Sequence, residues 1–200
     1  MAENIEITSI KVGLLGDGKV GKSAICNAFI GVDFMNEAIS TIGFEKFEKK
    51  LKMDDGKEIK LVLWDTAGQE RFRSAAFKTI RSVQGIALVF DVTFRDSFDN
   101  VEKWLDDIKD NLDNPSLVLL GNKIDLPKDQ WQVKQDEIDE LCKQKKLQFF
   151  ATSAKENKGI TEAFNFISNT IYKKLENKKP IGIVIENKKK NNIAGKNKCC

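Results

Sequence analysis

The stretch Gly16-Asp17-Gly18-Lys19-Val20-Gly21-Lys22-Ser23 constrains this chain more than any other. It fits G-x-x-x-x-G-K-[ST]: backbone N–H groups of a glycine-rich loop surround phosphate oxygens, the lysine reaches the outer phosphates, and the hydroxyl binds Mg²⁺. The flanks suit that reading. Residues 10–15 are apolar enough for a buried strand, and residues 23–30 read as a helix ending near Gly31. Strand, loop and helix N-terminus together aim amides and the positive end of a helix dipole at one anion, so a triphosphate is the implied ligand.

The rest of the chain limits what that loop can serve. Two hundred residues, 41% hydrophobic and 32% charged, suffice for one sizeable core. No run of 18 apolar residues exists, and residues 1–6 lack the features of a signal peptide, so a cytosolic or nuclear chain is expected. Four cysteines, two of them adjacent, make no disulfide framework, and the absence of histidine excludes His-based triads and His-rich metal sites. Net charge is +3, yet residues 177–200 hold seven lysines against one glutamate, which leaves the body at −3. A mildly acidic body gives no reason to expect nucleic-acid binding.

Along the chain, residues 32–40 read as a loop. Residues 43–53 and 59–64 form a predicted hairpin turned at Asp55-Gly56. A helix over about 70–82, a strand at 85–91 and a helix carrying Phe98, Val101, Trp104, Leu105 and Ile108, with Asp96 near its N-cap, come next. A strand at 116–120 is expected to stop at Gly121, followed by a helix over 133–145, a strand at 148–152 and a last helix over 160–175. Apolar strands alternating with helices predict a mainly parallel sheet covered on both faces, with ligand loops at the carboxyl ends of its strands. From residue 177 on, Lys, Asn and Gly dominate without a period, which predicts a disordered basic tail after a domain over 1–176.

Two further loops carry chemistry. Asp65 ends an apolar strand; an aspartate there either holds Mg²⁺, directly or through water, or caps a helix. Gly68 lets the backbone approach a terminal phosphate, and Gln69 can orient an attacking water. Asn122-Lys123-Ile124-Asp125 offers an amide for a purine edge, a lysine stem for stacking and a carboxylate that accepts from both N1–H and the 2-amino group of guanine. Read alone, that tetrapeptide is as readily an exposed turn before Pro127.

These motifs, with Thr41-Ile42-Gly43, residues 64–72 from Trp64 to Phe72, and Thr152-Ser153-Ala154-Lys155, stand in an order and spacing that resembles the small GTPases of the Ras superfamily. The Rab branch is the nearest match, on Trp64, Arg71-Phe72-Arg73-Ser74 and Asp91-Val92-Thr93 leading to Ser97-Phe98. The resemblance covers about residues 8–175. It implies a P-loop NTPase G domain, three-layer α/β/α, with a mostly parallel six-stranded sheet, one antiparallel edge strand and about five helices. The implied activity is slow hydrolysis of GTP to GDP and phosphate by a membrane-anchored switch in vesicle trafficking.

The same resemblance assigns roles by position. Gln69, Lys22 and Thr41 are the catalytic set, and Ser23, Thr41 and Asp65 hold Mg²⁺. The nucleotide is held by residues 17–24, namely Asp17, Gly18, Lys19, Val20, Gly21, Lys22, Ser23 and Ala24, together with Thr41, Gly68, Asn122, Lys123 and Asp125. Phe34 packs on the guanine face, and the backbone of Ser153, Ala154 and Lys155 meets the guanine O6. Cys199 and Cys200, on the lysine-rich tail, resemble a doubly geranylgeranylated ending. Expected partners are an exchange factor, an activating protein, a GDP-dissociation inhibitor or Rab escort protein, effectors at switch I and II, and a membrane, the protein being a monomer at the cytoplasmic face of intracellular membranes and cycling through the cytosol.

The chain departs from the Rab pattern at Lys19, which is either solvated or an extra cation near the phosphates. It departs again at Ala38, at Glu45-Lys46 and at Thr79-Ile80, which bear on effectors and exchange factors. The apolar island at 181–185 either binds an escort protein or touches the membrane. A Ras- or Rho-like GTPase, a GTP-binding scaffold without hydrolysis and a P-loop ATPase are the competing readings. The Cys-Cys pair and Trp64 disfavour the first, and Asn122–Asp125 the last.

Overall fold

The computed structural model describes residues 9–34, 43–67 and 73–177. Six strands form one sheet in the order β2-β3-β1-β4-β5-β6, with β1 at Ser9–Leu15, β2 at Phe44–Lys52, β3 at Glu58–Thr66, β4 at Gly85–Asp91, β5 at Ser116–Asn122 and β6 at Gln148–Ala151. Only the β2–β3 pair is antiparallel; every other neighbouring pair is parallel. The reason is legible in the residues. All of β4 is buried, as a strand covered on both faces must be. In β2 only Phe47 and Leu51 are buried, between exposed lysines that blunt the edge.

The period-two alternation of the central strands divides the core. Ile10, Val12 and Leu14 of β1 and Ala87 and Val89 of β4 face α1 (Lys22–Ile30) and α6 (Ile160–Asn177), against Ile25, Phe29, Phe164, Ile167 and Ile171. Leu15, Ile86, Leu88 and Phe90 point the other way, toward Phe77, Trp104, Ile108 and Ile138. Those four belong to α2 (Arg73–Thr79), α4 (Val101–Asn111) and α5 (Gln135–Lys145). The result is the three-layer α/β/α arrangement that the sequence predicts.

Element boundaries moved where loops claim backbone groups. β5 does not stop at Gly121: it continues through Asn122, because Asp91 of β4 and Ala151 of β6 still pair with its last two residues. α5 begins at Gln135 rather than 133, since the N–H groups of Gln132 and Val133 are donated to the Val92 carbonyl. β6 ends at Ala151, one residue early. The start of the helix predicted from residue 70 lies outside the described residues, and α2 is its remainder.

The helix of Phe98 to Ile108 is α3 (Arg95–Asp99) and α4 in succession. Asn100 between them keeps αR dihedrals. Its N–H bonds to the Asp96 carbonyl and its carbonyl accepts from the Trp104 N–H, so the ladder runs through and the described residues hold five α-helical bodies. Asp96 does not cap this helix: Phe94 occupies the N-cap, and Asp96 sits in the first turn. Among the described residues no helix is long and apolar enough to cross a membrane.

Candidate functional site

β1 delivers the chain into the phosphate loop, and two of its glycines are required by close approach. A Cβ on Gly16 would lie 2.1 Å from the Val89 carbonyl oxygen, and one on Gly21 would lie 2.3 Å from Asn122 Nδ2, both at positive φ. Gly21 is also the N-cap of α1 and offers no side chain, so the amides of the first turn of α1 keep their donors for a ligand. Lys22 opens this helix and folds back over the loop, its Nζ donating to the carbonyls of Gly16 at 2.9 Å and Asp17 at 2.7 Å. It is buried, and burial pulls its pKa down to about 8 against the opposing pull of Asp65 and Asp17. A phosphate beside the loop would further offset the cost of burying this cation.

At the end of β3, Asp65 is fully buried and its Oδ2 accepts from Ser23 Oγ at 2.5 Å. A hydroxyl and a carboxylate in contact beside the phosphate loop are hard oxygen donors of the kind Mg²⁺ takes, one or two from protein and the rest from phosphate and water. The residues present therefore fit that ion. Thr66 Oγ1 donates to the Leu14 carbonyl at 2.8 Å and fixes the strand end against β1. One step further, Ala67 N–H donates to the Gly43 carbonyl at 3.0 Å. Thr41, Gly68 and Gln69, the other members of the expected phosphate site, lie outside the described residues, as do Cys199 and Cys200.

The ends of β5 and β6 build a second half. Asn122 is buried, and its amide is spent within the protein: Nδ2 donates to the Val20 carbonyl at 2.9 Å, and Oδ1 accepts from Ala154 N–H at 3.2 Å. It thus ties the phosphate loop to the loop after β6, where the sequence suggested only a purine edge. Asp125 presents its carboxylate with Oδ1 held by Ser153 Oγ at 2.7 Å, and Ser153 in turn accepts from Glu156 N–H. Lys123 takes a left-handed conformation, φ 68°, and its Nζ pairs with Asp91 Oδ2 at 2.5 Å. Phe34 stands 42% exposed, a large ring with a face to offer. Ala24 and Gly18 are half-buried around the loop, Val20 is buried beneath it, and Lys19 is exposed on it.

Sequence reasoning quoted Asp91 only within the Rab resemblance and gave it no role; its carboxylate also accepts from the N–H and hydroxyl of Thr93. An aspartate closing an apolar strand two residues before a threonine was the available signal. Nor did it find the partners of the Asp17 side chain, which lie more than 80 residues away.

A phosphate loop joining the first strand of a parallel sheet to a helix, with four further strand ends converging on it, defines a P-loop G domain. Residues 11–173 match the profile of the Ras family. The chain is 40% identical over 162 residues to the Ras-related protein Rab-13 of Mesocricetus auratus, covering 80% of this chain and 79% of the relative. It is 40% identical over 168 residues to the GTP-binding protein yptV2 of Volvox carteri, covering 84% and 77%. Against the Ras-related protein RAB1BV of Beta vulgaris it is 37% identical over 199 residues, covering 96% and 92%. The chain belongs to the Ras family, on its Rab branch.

Proposed function

We propose that this Rab-branch small GTPase of vesicle trafficking binds Mg·GTP and Mg·GDP in the site just described and hydrolyses GTP there, with Lys22, Gln69 and Thr41 as the groups that act on the γ-phosphate. The contact between Ser23 and Asp65 supports the reading, because it brings two hard oxygen donors together beside the uncapped start of α1. Bound Mg²⁺ supplies charge neutralisation on the phosphate oxygens. The protein's own part is positioning: Lys22 shares the developing charge, the amides of residues 17–24 fix the phosphates, and Gln69 orients the water. By the resemblance, no arginine belongs to a motif that reaches the γ-phosphate in cis, so intrinsic turnover is slow, on the order of 10⁻⁴ s⁻¹, and an activating protein completes the site.

On the base side Asp125, oriented by Ser153, takes the N1–H and 2-amino donors of guanine. Lys123 and Phe34 flank the ring, and the backbone of Ser153, Ala154 and Lys155 faces O6. Thr41 with Ser23 and Asp65 completes the Mg²⁺ set, and Gly68 gives its amide to the γ-phosphate, so phosphate loss releases both segments. Residues 1–176 form the G domain and 177–200 a basic tail whose Cys199 and Cys200 carry geranylgeranyl groups; two chains anchor stably where one is marginal. The protein works as a monomer with an exchange factor, an activating protein, effectors and a GDP-dissociation inhibitor or escort protein, cycling between cytosol and the cytoplasmic face of intracellular membranes.

Single-turnover hydrolysis of Mg·GTP by the full chain, with Gln69→Leu beside it, tests the assignment. Slow release of phosphate that the variant loses is expected; equal rates in both overturn the role of Gln69. Mass spectrometry of the protein from its own cells tests the tail, and absence of both lipids removes the anchor.

A further inference from the structure

A carboxylate inside a phosphate loop is electrostatically adverse, because it lies beside the anion that the loop exists to bind. Asp17 is such a residue, and the structure shows where its charge goes. Oδ1 accepts from Trp104 Nε1 at 2.7 Å and Oδ2 from Asn100 Nδ2 at 2.7 Å. Its carbonyl meanwhile accepts from Lys22 Nζ at 2.7 Å. The residue is thus held at both ends, by the phosphate lysine on the inside and by two N–H donors on the outside.

Both outer donors come from one rigid body. Asn100 joins α3 to α4, and Trp104 is one turn further on, its indole buried and packed at 6.4 Å from the ring of Phe77 in α2. Asn100 Oδ1 is itself occupied, accepting from Lys103 Nζ at 3.1 Å. Hydrogen bonds from neutral donors to a charged acceptor are short and roughly twice as strong as neutral pairs. They act here on the six-residue loop of residues 16–21, whose backbone is unusual: Lys19 has φ 65° and Gly21 φ 99°. Such a loop keeps its amides aimed inward only while its ends are fixed.

We infer that Asp17 is a positioning residue for the nucleotide, a strut whose two bonds to Asn100 and Trp104 hold the phosphate loop in its binding geometry and thereby slow nucleotide release. The inference rests on the guanine-nucleotide reading above. It assigns the Asp17 side chain to the α3–α4 body and leaves only the backbone of Asp17 to the phosphates. Nucleotide lifetime is then set partly by residues that touch no ligand.

The test measures dissociation of a fluorescent GDP from the full chain with Mg²⁺, alongside thermal melting of the same samples. Trp104→Phe deletes one N–H and keeps an aromatic ring; Asn100→Ala deletes the other at a half-buried position. Each raises the off-rate about tenfold, as expected for one bond to a charged group. In an Asp17→Ala background neither change adds more than about twofold, since the acceptor is already gone. A merely structural role gives a different pattern: lower melting temperatures with unchanged off-rates, or the same increase with and without Asp17. Either result overturns the strut. A wild-type chain that retains no GDP at all overturns the nucleotide assignment itself, and this inference with it.

Discussion

Asp125 and Lys19 show what single residues decide here. The Asp125 carboxylate has one oxygen held by Ser153, which fixes its plane; on the proposed reading that plane meets a base edge with two adjacent donors. Asp125→Asn replaces an acceptor by a donor at that edge, so guanine affinity falls by at least about a hundredfold. Titration with GDP and with the xanthine analogue checks this, and undiminished GDP binding removes Asp125 from the base site. Lys19 sits at φ 65° with its side chain in solvent, and no hydrogen bond or ion pair engages it among the described residues. A left-handed conformation costs a non-glycine residue about 1–2 kcal/mol. Lys19→Gly therefore stabilises the GDP-bound protein by about 1 kcal/mol in urea, part of the relief being lost to the freer unfolded chain. A destabilised variant contradicts that account, and an unchanged GDP off-rate in the same variant assigns the ammonium to solvent. The phosphate-loop motif was visible in sequence because eight contiguous residues carry it. The Asp17 bonds were not, because their donors arrive from a helix whose register only the folded sheet sets.

At the scale of elements, strands were easier to read than helix ends. β4 and β5 announce themselves as apolar runs, whereas the start of α5 depends on where Gln132 and Val133 send their N–H groups. Such distant partners leave no local mark. The α1–α6 layer has a clear weak point. Phe164 is fully buried, its ring 4.6 Å from that of Phe29. Phe164→Ala costs about 3–5 kcal/mol and is read as a shift of the urea midpoint; a loss below about 1 kcal/mol means that the layer repacks. Cys26 lies in the same layer, fully buried, and burial pushes its thiol pKa up, first by desolvation and then by Asp65. It resists thiol reagents in the folded protein and reacts on unfolding, while half-buried Cys142 reacts in the native state. Equal native labelling of the two contradicts the packing of α1.

For the whole molecule, stability and ligand cannot be separated. A ligand present at a thousand times its Kd adds about 4 kcal/mol, comparable to much of what a domain of this size possesses. Chelation of Mg²⁺ is therefore expected to speed GDP release and to lower the melting temperature together. Scanning calorimetry with and without EDTA, at fixed nucleotide, checks it; a melting temperature indifferent to EDTA removes Ser23 and Asp65 from the metal site. This dependence was foreseeable from the motif order, which brings five strand ends to one edge of the sheet. The means were not: Asn122 joins the phosphate loop, at Val20, to the loop after β6, at Ala154.

The bond from Ala67 N–H to the Gly43 carbonyl has a consequence for recognition. Thr41 stands two residues before one end of that bond, and Gly68 and Gln69 follow directly on the other. On the proposed reading, the two stretches that would feel the γ-phosphate join the sheet at this one bond, like two ropes tied to one cleat. On that reading, a protein that binds either of them would be informed about both, so a partner with a small footprint would still distinguish the state of the whole switch.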